Sequence, residues 1–459
     1  MRAVNSWSFT PFSPPLYDVG HPYICRIVPG ETSVHLEWIG EEQPPFSVGY
    51  RPEGDETFSW VKTNENEITV ENLRPETDYE FVVNAGDKSS RVRLARTCAI
   101  EGTVVNYLHP RDRAYGFSGQ YLCSPCLIRH PDGFLLASMD VFEGDRPQNL
   151  SLIFRSDDDG KTWHYVSELF PCFWGRMFIY HGKLYMIACS TEYGDLLIGC
   201  SEDGGKTFGL PTVLLRGACH PKVPGIHKNP QPPLIYGGRW WMTMEWGSWG
   251  VGYHAAMVAS FPVDADPMDA SCWHFSEPVR YDPTWPGVAE GNSSGNIEGT
   301  LAVLPDGNLY NIMRYDMSKC TPKYGKVLAY RVRTDDPEAP LRYDHAIDLP
   351  GNHSKFTIRY DEMSGNFYTI ICRITGPEHA YDRNLLSLMK SRDGENWTLA
   401  LDLLDHRDMD PKKIGFQYVD FLIEGDDLLW LCRTAWGEPH NFHDANYSVF
   451  HRLTGFRKY

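Results

Sequence analysis

A short phrase that occurs three times decides the fold of this chain: SDDDGKTW at residues 156–163, SEDGGKTF at 201–208, and the weaker SRDGENW at 391–397. Asp followed by Gly favours a tight turn, and Ser, Thr and Asp side chains can bond the free amides of that turn. The aromatic residue that ends the phrase can anchor the hairpin on its sheet. These repeat turns therefore predict outer β-turns with a structural role and no chemistry of their own.

Around the repeat turns, a larger unit recurs from about residue 100 onward: strand, Gly turn, strand, loop, strand, repeat turn or its remnant, strand. A period of about 50 to 60 residues is typical of propeller blades. The first strands of six units are readable at 122–128, 176–180, 232–236, 297–304, 356–360 and 418–423. We expect an all-β chain with a six-bladed β-propeller over residues 98–459. Its long polar loops, and hence its site, should lie on the face opposite the repeat turns.

Residues 20–97 are expected to form a separate small β-sandwich. The segment VHLEW at 34–38 alternates like a half-buried strand. The segment LRPETDY at 73–79, followed by EFVV, resembles the tyrosine corner of fibronectin type III domains. That resemblance implies an accessory module which supports a catalytic domain, with direct sugar binding as the alternative. Residues 1–19 are then an N-terminal extension.

Composition excludes several classes of partner. The 459 residues carry a formal charge of −17, which argues against nucleic acid and anionic membranes as partners. The first fifteen residues lack a basic start followed by an apolar run, so we expect no signal peptide and a cytoplasmic protein. Twelve cysteines occur mostly singly, and the spacing of Cys123 and Cys126 has no second pair to complete a zinc site. We expect reduced, buried thiols, no metal and no cofactor.

The fourth unit holds the first informative pair of side chains. Glu298 begins its first strand and Arg314 ends its second, so both should emerge on the loop-rich face. The sixth unit opens with FQYVD at 416–420, which places Tyr418 at the mouth of the central channel. In the fifth unit, Arg383 precedes Asn-Leu at the entrance to the strand that leads to the third repeat turn.

These positions resemble the active site of exo-sialidases, and the repeat turns resemble the Asp-box of the same superfamily. The resemblance implies that Tyr418 is the nucleophile and Glu298 its general base, while Arg314 and Arg383 clamp a substrate carboxylate. A phenol with a pKa of about 10 needs such an adjacent base to attack an anomeric carbon. Sialidases are a known exception to the rule that glycosidases use two carboxylates.

The first unit departs from that family. It reads Cys123-Ser124-Pro125 where sialidases carry Arg-Ile-Pro, so the first arginine of the carboxylate-binding triad is absent. We expect no substitute arginine near Ser124, and poor activity on sialosides. Asp140 lies in the loop where the family keeps its acid/base, with Asp145 as the alternative.

Other polar residues are dense on the same predicted face, including Glu192 and His254. The expected substrate-binding residues are Arg314, Arg383, His227, Lys228, Glu245, His353, Gln417, His443 and Asp444. His443 and Asp444 lie near the chain end, where a structural latch that closes the propeller is the alternative role.

The leading interpretation is an exo-acting glycoside hydrolase of the sialidase superfamily that takes a terminal, acidic sugar as its carbohydrate substrate. A propeller polysaccharide lyase or a rhamnosidase-type enzyme that uses His and Tyr is an alternative. The missing arginine also leaves open a non-catalytic carbohydrate-binding propeller. A lyase would release an unsaturated product that absorbs in the near ultraviolet, whereas a hydrolase would not. The sequence leaves the sugar, the linkage and the oligomeric state open.

Overall fold

The computed structural model describes residues 22–459. The predicted N-terminal extension, and with it the segment on which the signal-peptide prediction rests, lies outside this range. In the part of the chain that is described, no helix is long and apolar enough to cross a membrane. All twelve cysteines lie in this part, and each is a free thiol.

The N-terminal part of the described chain forms two antiparallel sheets. Its strands are Tyr23–Pro29 (β1), Val34–Ile39 (β2), Phe46–Pro52 (β3), Ser59–Thr63 (β4), Glu67–Val70 (β5), Asp78–Ala85 (β6), Lys88–Ser89 (β7) and Arg93–Arg96 (β8). One sheet has the order β1-β2-β5; in the other β4 pairs with β3, β3 with β6, and β6 with both β7 and β8. Along β2 the apolar positions are buried and the polar ones half-exposed, as the alternating sequence predicts. The hydroxyl of Tyr79 accepts a hydrogen bond of 3.0 Å from the backbone N–H of Arg74.

The rest of the chain is also built from strands. They are Thr103–Tyr107 (β9), Tyr121–Arg129 (β10), Leu135–Phe142 (β11), Leu150–Ser156 (β12), His164–Leu169 (β13), Phe173–Tyr180 (β14), Lys183–Cys189 (β15), Leu196–Ser201 (β16), Thr212–Leu215 (β17), Gly225–His227 (β18), Leu234–Tyr236 (β19), Arg239–Ser248 (β20), Tyr253–Pro262 (β21), His274–Phe275 (β22), Glu290–Gly291 (β23), Gly295–Val303 (β24), Leu309–Asp316 (β25), Cys320–Thr321 (β26), Lys326–Arg331 (β27), Arg342–Asp348 (β28), Ile358–Asp361 (β29), Asn366–Cys372 (β30), Leu385–Ser391 (β31), Thr398–Asp405 (β32), Gly415–Glu424 (β33), Asp427–Ala435 (β34) and Tyr447–Thr454 (β35). The helical segments of the described residues are single 3₁₀ turns at Trp249–Val251, Ala270–Cys272, Pro377–His379 and Phe456–Lys458. The prediction of an all-β chain is confirmed.

These strands pair mostly with their neighbours in the chain. Four-stranded antiparallel sheets comprise β10–β13, β14–β17 and β29–β32. Strands β18 to β22 and the set β24, β25, β27 and β28 make two further groups, which one parallel pair, His254 with Gly295, joins into a larger sheet. The last sheet has the order β33-β34-β35-β9, so a strand that precedes the first sheet closes the final one.

Successive sheets pack face to face through separate apolar clusters. One cluster contains Leu136 and Ile153 from the β10–β13 sheet together with Met186 and Leu197 from the next sheet. Each later interface has a cluster of the same kind, and another joins the last sheet to the first. Burial of apolar area between neighbouring sheets, at about 25 cal/mol per Å², is the main force that holds them in sequence.

Two of the six predicted first strands begin two residues later than expected, whereas the other four begin one to three residues earlier. The third was expected at 232–236, but its inner edge has two pieces, β18 and β19, which both pair with β20. Pro230, Pro232 and Pro233 lie in or next to the gap between the pieces, and proline has no N–H to donate to a ladder. The fifth was expected from residue 356, but β29 begins at Ile358.

The repeat turns have the bonding that their sequence predicts. In the first, the Ser156 hydroxyl accepts from the Gly160 amide at 2.8 Å, while Asp158 accepts from the Thr162 amide at 2.9 Å. The second turn repeats these contacts with Ser201, Asp203 and Thr207. The closing Trp163 is fully buried. Side-chain bonds within each repeat therefore hold the first two turns.

Candidate active site

Four of the inner strands, β10, β14, β24 and β33, carry a β-bulge near their beginnings. At each bulge one residue has a left-handed backbone: Ser124 (φ 51°), Trp174 (φ 53°), Glu298 (φ 56°) and Tyr418 (φ 58°). A bulge re-aims a side chain out of the regular ladder. A non-glycine residue in this region carries a strain of about 1–3 kcal/mol, and such strain clusters at functional sites.

The side chains of two bulge residues meet at Arg314. Its Nη1 donates to Glu298 Oε2 at 2.6 Å and to Tyr418 Oη at 3.2 Å. The Tyr418 hydroxyl also interacts with the Glu298 carboxylate, an interaction that lowers the pKa of Glu298. Glu298 is 4% exposed. A phenol, a carboxylate and a guanidinium therefore share one contact set, although residues 298 and 418 are far apart in the chain.

This triad lies far from the third repeat turn. A side chain at Gly394 of that turn would meet Leu304, just beyond the C-terminal end of β24. Glu298 precedes Leu304 by six residues (304 − 298), which is about 20 Å along an extended strand. The turn and the triad are therefore at opposite ends of β24.

The protonation states of Tyr418 and Glu298 are set by burial and by nearby charges. Burial, followed by the Glu298 carboxylate, raises the pKa of Tyr418 to about 12, although neighbouring arginines act in the opposite direction. Burial alone would raise the pKa of Glu298, but Arg314, His227 and the Tyr418 hydroxyl outweigh it and lower that pKa. At neutral pH the phenol keeps its proton and faces an ionised carboxylate.

Two further arginines surround Tyr418. Arg383 Nη1 donates to the side chain of Gln417, and its Nη2 donates to the His353 carbonyl at 2.7 Å. The Arg433 guanidinium carbon lies 5.0 Å from the centre of the Tyr418 ring. Both side chains are at least nine-tenths buried, and neither Nε has an acceptor among the described residues. The site therefore holds buried cationic donors that lack a partner.

Sequence reasoning missed Arg433, and its position corrects the expectation that no arginine lies near Ser124. Arg433 comes from β34, the second strand of the last sheet, and it acts electrostatically on the Cys123 thiol next to Ser124. Within the run DLLWLCRTA it reads as an ordinary buried-strand residue. The signal that could have found it is a charge inside a strand that is otherwise buried.

A cavity of about 250 Å³ opens beside this cluster. Arg314, Asp316, His353, Tyr381 and Arg383 contribute to its wall. His353 Nε2 donates to the Lys323 carbonyl at 2.7 Å, and burial lowers the pKa of His353 to about 4. His353 is therefore a neutral wall residue at physiological pH.

His227 and Glu245 form a buried pair near the triad. His227 Nδ1 lies 2.5 Å from Glu245 Oε2, and Glu245 Oε1 accepts from the Gly299 amide at 3.2 Å. Gly299 follows Glu298 directly, so the pair braces the bulge of β24. The His227 ring packs 4.2 Å from that of Trp174.

Other predicted binding residues are bonded to the protein itself. Lys228 is 3% exposed and donates to the Trp174 carbonyl at 3.0 Å. Gln417 is fully buried, accepts from Arg383, and donates to the Phe442 carbonyl at 2.7 Å. The bond to the Trp174 carbonyl places Lys228 in the interior. The bond from Arg383 gives Gln417 a positioning role toward that arginine.

His443 and Asp444 form a loop network that supports Arg433. The Arg433 Nη2 donates to the His443 carbonyl, and His443 Nδ1 lies 2.9 Å from Asp444 Oδ1. Asp444 also contacts His440 Nδ1 at 2.7 Å. The carbonyl of Ala445, the residue after Asp444, accepts from the Leu122 amide of the first sheet at 2.9 Å. These contacts are typical of the latch that was the alternative role.

Asp140, the expected acid/base, lies beneath the bulges. It is 1% exposed; one oxygen accepts from the Ser151 hydroxyl and the other from the Trp174 amide at 2.7 Å. Burial raises the pKa of Asp140 to about 7. Among the hydrogen bonds of residues 22–459, none joins Asp140 to Tyr418 or Glu298. Asp145 is exposed and its backbone is left-handed.

A second carboxyl group lies closer to the His227 cluster. Glu192 Oε2 accepts from Gln148 Nε2 at 2.9 Å and interacts electrostatically with His227. Burial raises the pKa of Glu192, whereas the pKa of Glu298 is lowered. Two carboxyl groups whose environments push their pKa values in opposite directions are suited to acid and base roles.

Solved structures with a similar fold include an arabinanase and two sialidase-type enzymes. One is a Penicillium chrysogenum alpha-L-arabinanase with arabinobiose (TM-score 0.50, 15% identity, 78% of this chain and 99% of that one). Another is the Hadza microbial sialidase Hz136 (TM-score 0.51, 12% identity, 96% and 98%). The chain has a β-propeller fold. A leech intramolecular trans-sialidase is also similar (TM-score 0.51, 8% identity, 95% and 92%).

No family model matches the sequence, and no curated protein sequence matches it. At identities of 8–15% the structural likeness shows the fold alone.

Proposed function

We propose that this protein is an exo-acting glycoside hydrolase that removes a terminal, acidic sugar from a glycan or oligosaccharide. The observation that carries the proposal is the contact set of Tyr418, Glu298 and Arg314, with hydrogen bonds of 2.6 and 3.2 Å from the guanidinium. The bound arabinobiose and the 2,7-anhydro-Neu5Ac named for the similar structures support a carbohydrate substrate.

In the proposed reaction, Tyr418 Oη attacks the anomeric carbon while the bond to the leaving oxygen breaks. With a pKa of about 12, only about one Tyr418 in 10⁵ is ionised at pH 7. The phenol proton must therefore pass to Glu298 as the new C–O bond forms. Water then attacks the glycosyl-tyrosine, returns the phenol and completes hydrolysis.

The leaving oxygen also needs a proton, and Glu192 is the better candidate for this acid. Burial raises the pKa of its carboxyl group, and His227 lies near both Glu192 and Glu298. Asp140 also has a raised pKa, but its oxygens are engaged in holding the bulges. We therefore assign Asp140 a positioning role.

The preference for an acidic sugar rests on charge. Arg314, Arg383 and Arg433 surround Tyr418, and the Nε atoms of the last two are buried without an acceptor. A substrate carboxylate in the cavity would pair with the guanidinium groups of Arg314 and Arg383 that line it, and each charge-assisted bond adds about 1.5–3 kcal/mol. The cavity of about 250 Å³ suits one terminal sugar ring rather than a chain.

We also propose that the sheets of residues 98–459 are six propeller blades, and that residues 20–97 form a fibronectin type III-like accessory domain. The strand order, with β9 closing the last sheet, supports the first assignment. The Tyr79 hydroxyl bonded to the Arg74 amide supports the second. The sandwich is fixed to the propeller by the buried ion pair of Arg93 with Asp112, at 2.6 Å.

A second candidate is a hydrolase of neutral sugars in which Glu298 is itself the nucleophile and Glu192 the acid. The opposite pKa directions of these two carboxyl groups favour it. In that case Tyr418 would only orient Glu298, and the arginines would face hydroxyl groups.

A panel of 4-methylumbelliferyl glycosides tests the proposal. Sialic acid and glucuronic acid donors represent acidic sugars, and an arabinofuranoside represents neutral ones. We expect turnover of an acidic donor, loss of that turnover in Glu298→Gln, and no product that absorbs in the near ultraviolet. Turnover of the neutral donor alone would select the second candidate, and an unsaturated product would indicate a lyase.

A further inference from the structure

Buried basic side chains converge on the axis of the propeller, between the active site and the opposite face. Arg176 comes from β14 and Lys228 from the segment after β18. Lys355 lies in the segment before β29, and Arg359 lies in β29 itself. Arg176 and Lys228 are each 3% exposed, and Lys355 is 1% exposed. The Arg359 side chain is 23% exposed.

The carboxylate of Asp420 pairs with two of these cations, Arg176 and Arg359. Its Oδ2 accepts from the Leu127 amide at 2.8 Å and from Arg176 Nη1, and its Oδ1 lies 3.5 Å from Arg359 Nη2. Glu298 also acts on Lys355, but it is already paired with Arg314. Asp140 acts on Lys228, but its two oxygens already accept from Ser151 and Trp174. The axis therefore carries an excess of buried positive charge.

Several donors of this cluster lack acceptors. Arg176 Nε and Arg359 Nε have none among the described residues. Lys355 Nζ has three N–H donors, and its one recorded bond is to the Val419 carbonyl at 3.3 Å. Burial lowers the pKa of both Lys228 and Lys355 to about 8, so both remain largely charged at pH 7. Buried charges of this kind are strongly destabilising unless they are paired.

We propose that a small inorganic anion of chloride size binds in the axis between Lys355, Arg176 and Lys228. The anion would neutralise the excess positive charge and accept hydrogen bonds from the unpaired N–H groups. A weakly hydrated monovalent ion suits the site because the surrounding side chains leave almost no exposed surface for solvent. This site is separate from the arginines around Tyr418 and does not depend on the proposed function.

An entry route lies on the far side of the axis. Arg359 lines a cavity of about 880 Å³ together with Pro232, Leu301, Leu422 and Arg392 of the third repeat turn. The cavity is therefore at the end of the axis opposite Glu298. An ion that enters there first meets the exposed part of Arg359 and then the buried cluster, without crossing the active site.

Crystals grown with sodium bromide in place of chloride test the site directly. We expect an anomalous peak within contact distance of Lys355 Nζ and Arg176. Bromide peaks confined to surface residues or to the arginines around Tyr418, with water at the axis, would overturn the proposal.

Thermal unfolding provides a solution test at constant ionic strength, with chloride exchanged for gluconate, an anion too bulky for the axis. For a chloride concentration about 100-fold above its dissociation constant, we expect the midpoint to rise by about 3 °C. Lys355→Met should abolish this response, whereas the exposed Lys62→Met should keep it. If chloride raises the midpoint equally in the unsubstituted protein, Lys355→Met and Lys62→Met, or raises it in none of them, an axial anion is refuted. If Lys355→Met fails to fold, the bromide map of the unsubstituted protein decides.

Discussion

Replacing Tyr418 by phenylalanine separates chemistry from folding. The change removes one oxygen, which receives a 3.2 Å hydrogen bond from Arg314 and contacts Glu298. Arg314 keeps its 2.6 Å bond to Glu298, so no buried charge loses its partner. We expect the free energy of unfolding to change by no more than about 1 kcal/mol, the typical net value of one hydrogen bond.

Turnover should behave differently, because the lost oxygen is the proposed nucleophile. We expect kcat to fall by about 10³-fold or more, which corresponds to at least about 4 kcal/mol of transition-state stabilisation. If Tyr418 only orients Glu298, the loss of one hydrogen bond should reduce kcat about tenfold. The assay is steady-state release of 4-methylumbelliferone from the active donor, beside urea unfolding of the same samples. Tyr360→Phe, whose ring is 53% exposed at the far cavity, is the matched control and should retain full activity. A Tyr418→Phe enzyme with a tenth of its activity would refute the tyrosine mechanism.

Three other changes test further parts of the account. Glu298→Gln should lower kcat by about 10²–10⁴-fold. It should also remove the acidic limb of the kcat/KM profile, which should lie below pH 4.5 because the Glu298 pKa is lowered. If the acidic limb is unchanged in this variant, another group is responsible for it. Arg433→Met should raise KM for an acidic donor about tenfold to a hundredfold, while the exposed Arg146→Met should not, and equal KM values would exclude Arg433 from binding. Asp361→Asn replaces two charge-assisted 2.7 Å bonds to Arg457 by at most one bond to a neutral amide oxygen, and it should reduce stability by about 1–3 kcal/mol at pH 7. Because the folded pKa of Asp361 is about 2, below its unfolded value of about 3.9, this difference should be complete above about pH 5 and shrink as pH falls toward 2, and a constant difference in urea unfolding would contradict it.

The sequence predicted those parts of the fold that rest on local chemistry. The bonds within 156–163 and 201–208 involve residues at most four positions apart, so their side chains alone specify the turn. The alternation along 34–38 likewise determines which face of β2 is buried. The piece β18 was missed because it runs directly into the polar residues His227, Lys228 and Asn229. Strand β19 begins later than expected because Pro232 and Pro233 have no N–H for the ladder.

The site could be predicted only in part, because its contacts span long stretches of chain. Arg176 and Asp420 are 244 residues apart, and Tyr418 meets Arg314 across 104 residues. No local pattern encodes such a pairing. Motif comparison found Tyr418 and Arg314, but it could not find Arg433, which approaches the same site from another strand. The left-handed backbone at Glu298 and Tyr418 is likewise a consequence of the bulges, and neither residue type signals it.

Trapping of the glycosyl-enzyme intermediate tests the central claim most directly. A fluorinated donor of the active sugar, with a good leaving group, should accumulate the covalent species, and peptide mass spectrometry locates the bond. We predict that the sugar is attached to the Tyr418 oxygen and that Tyr418→Phe remains unlabelled. A sugar attached to Glu298 would contradict the tyrosine mechanism and establish the two-carboxylate alternative.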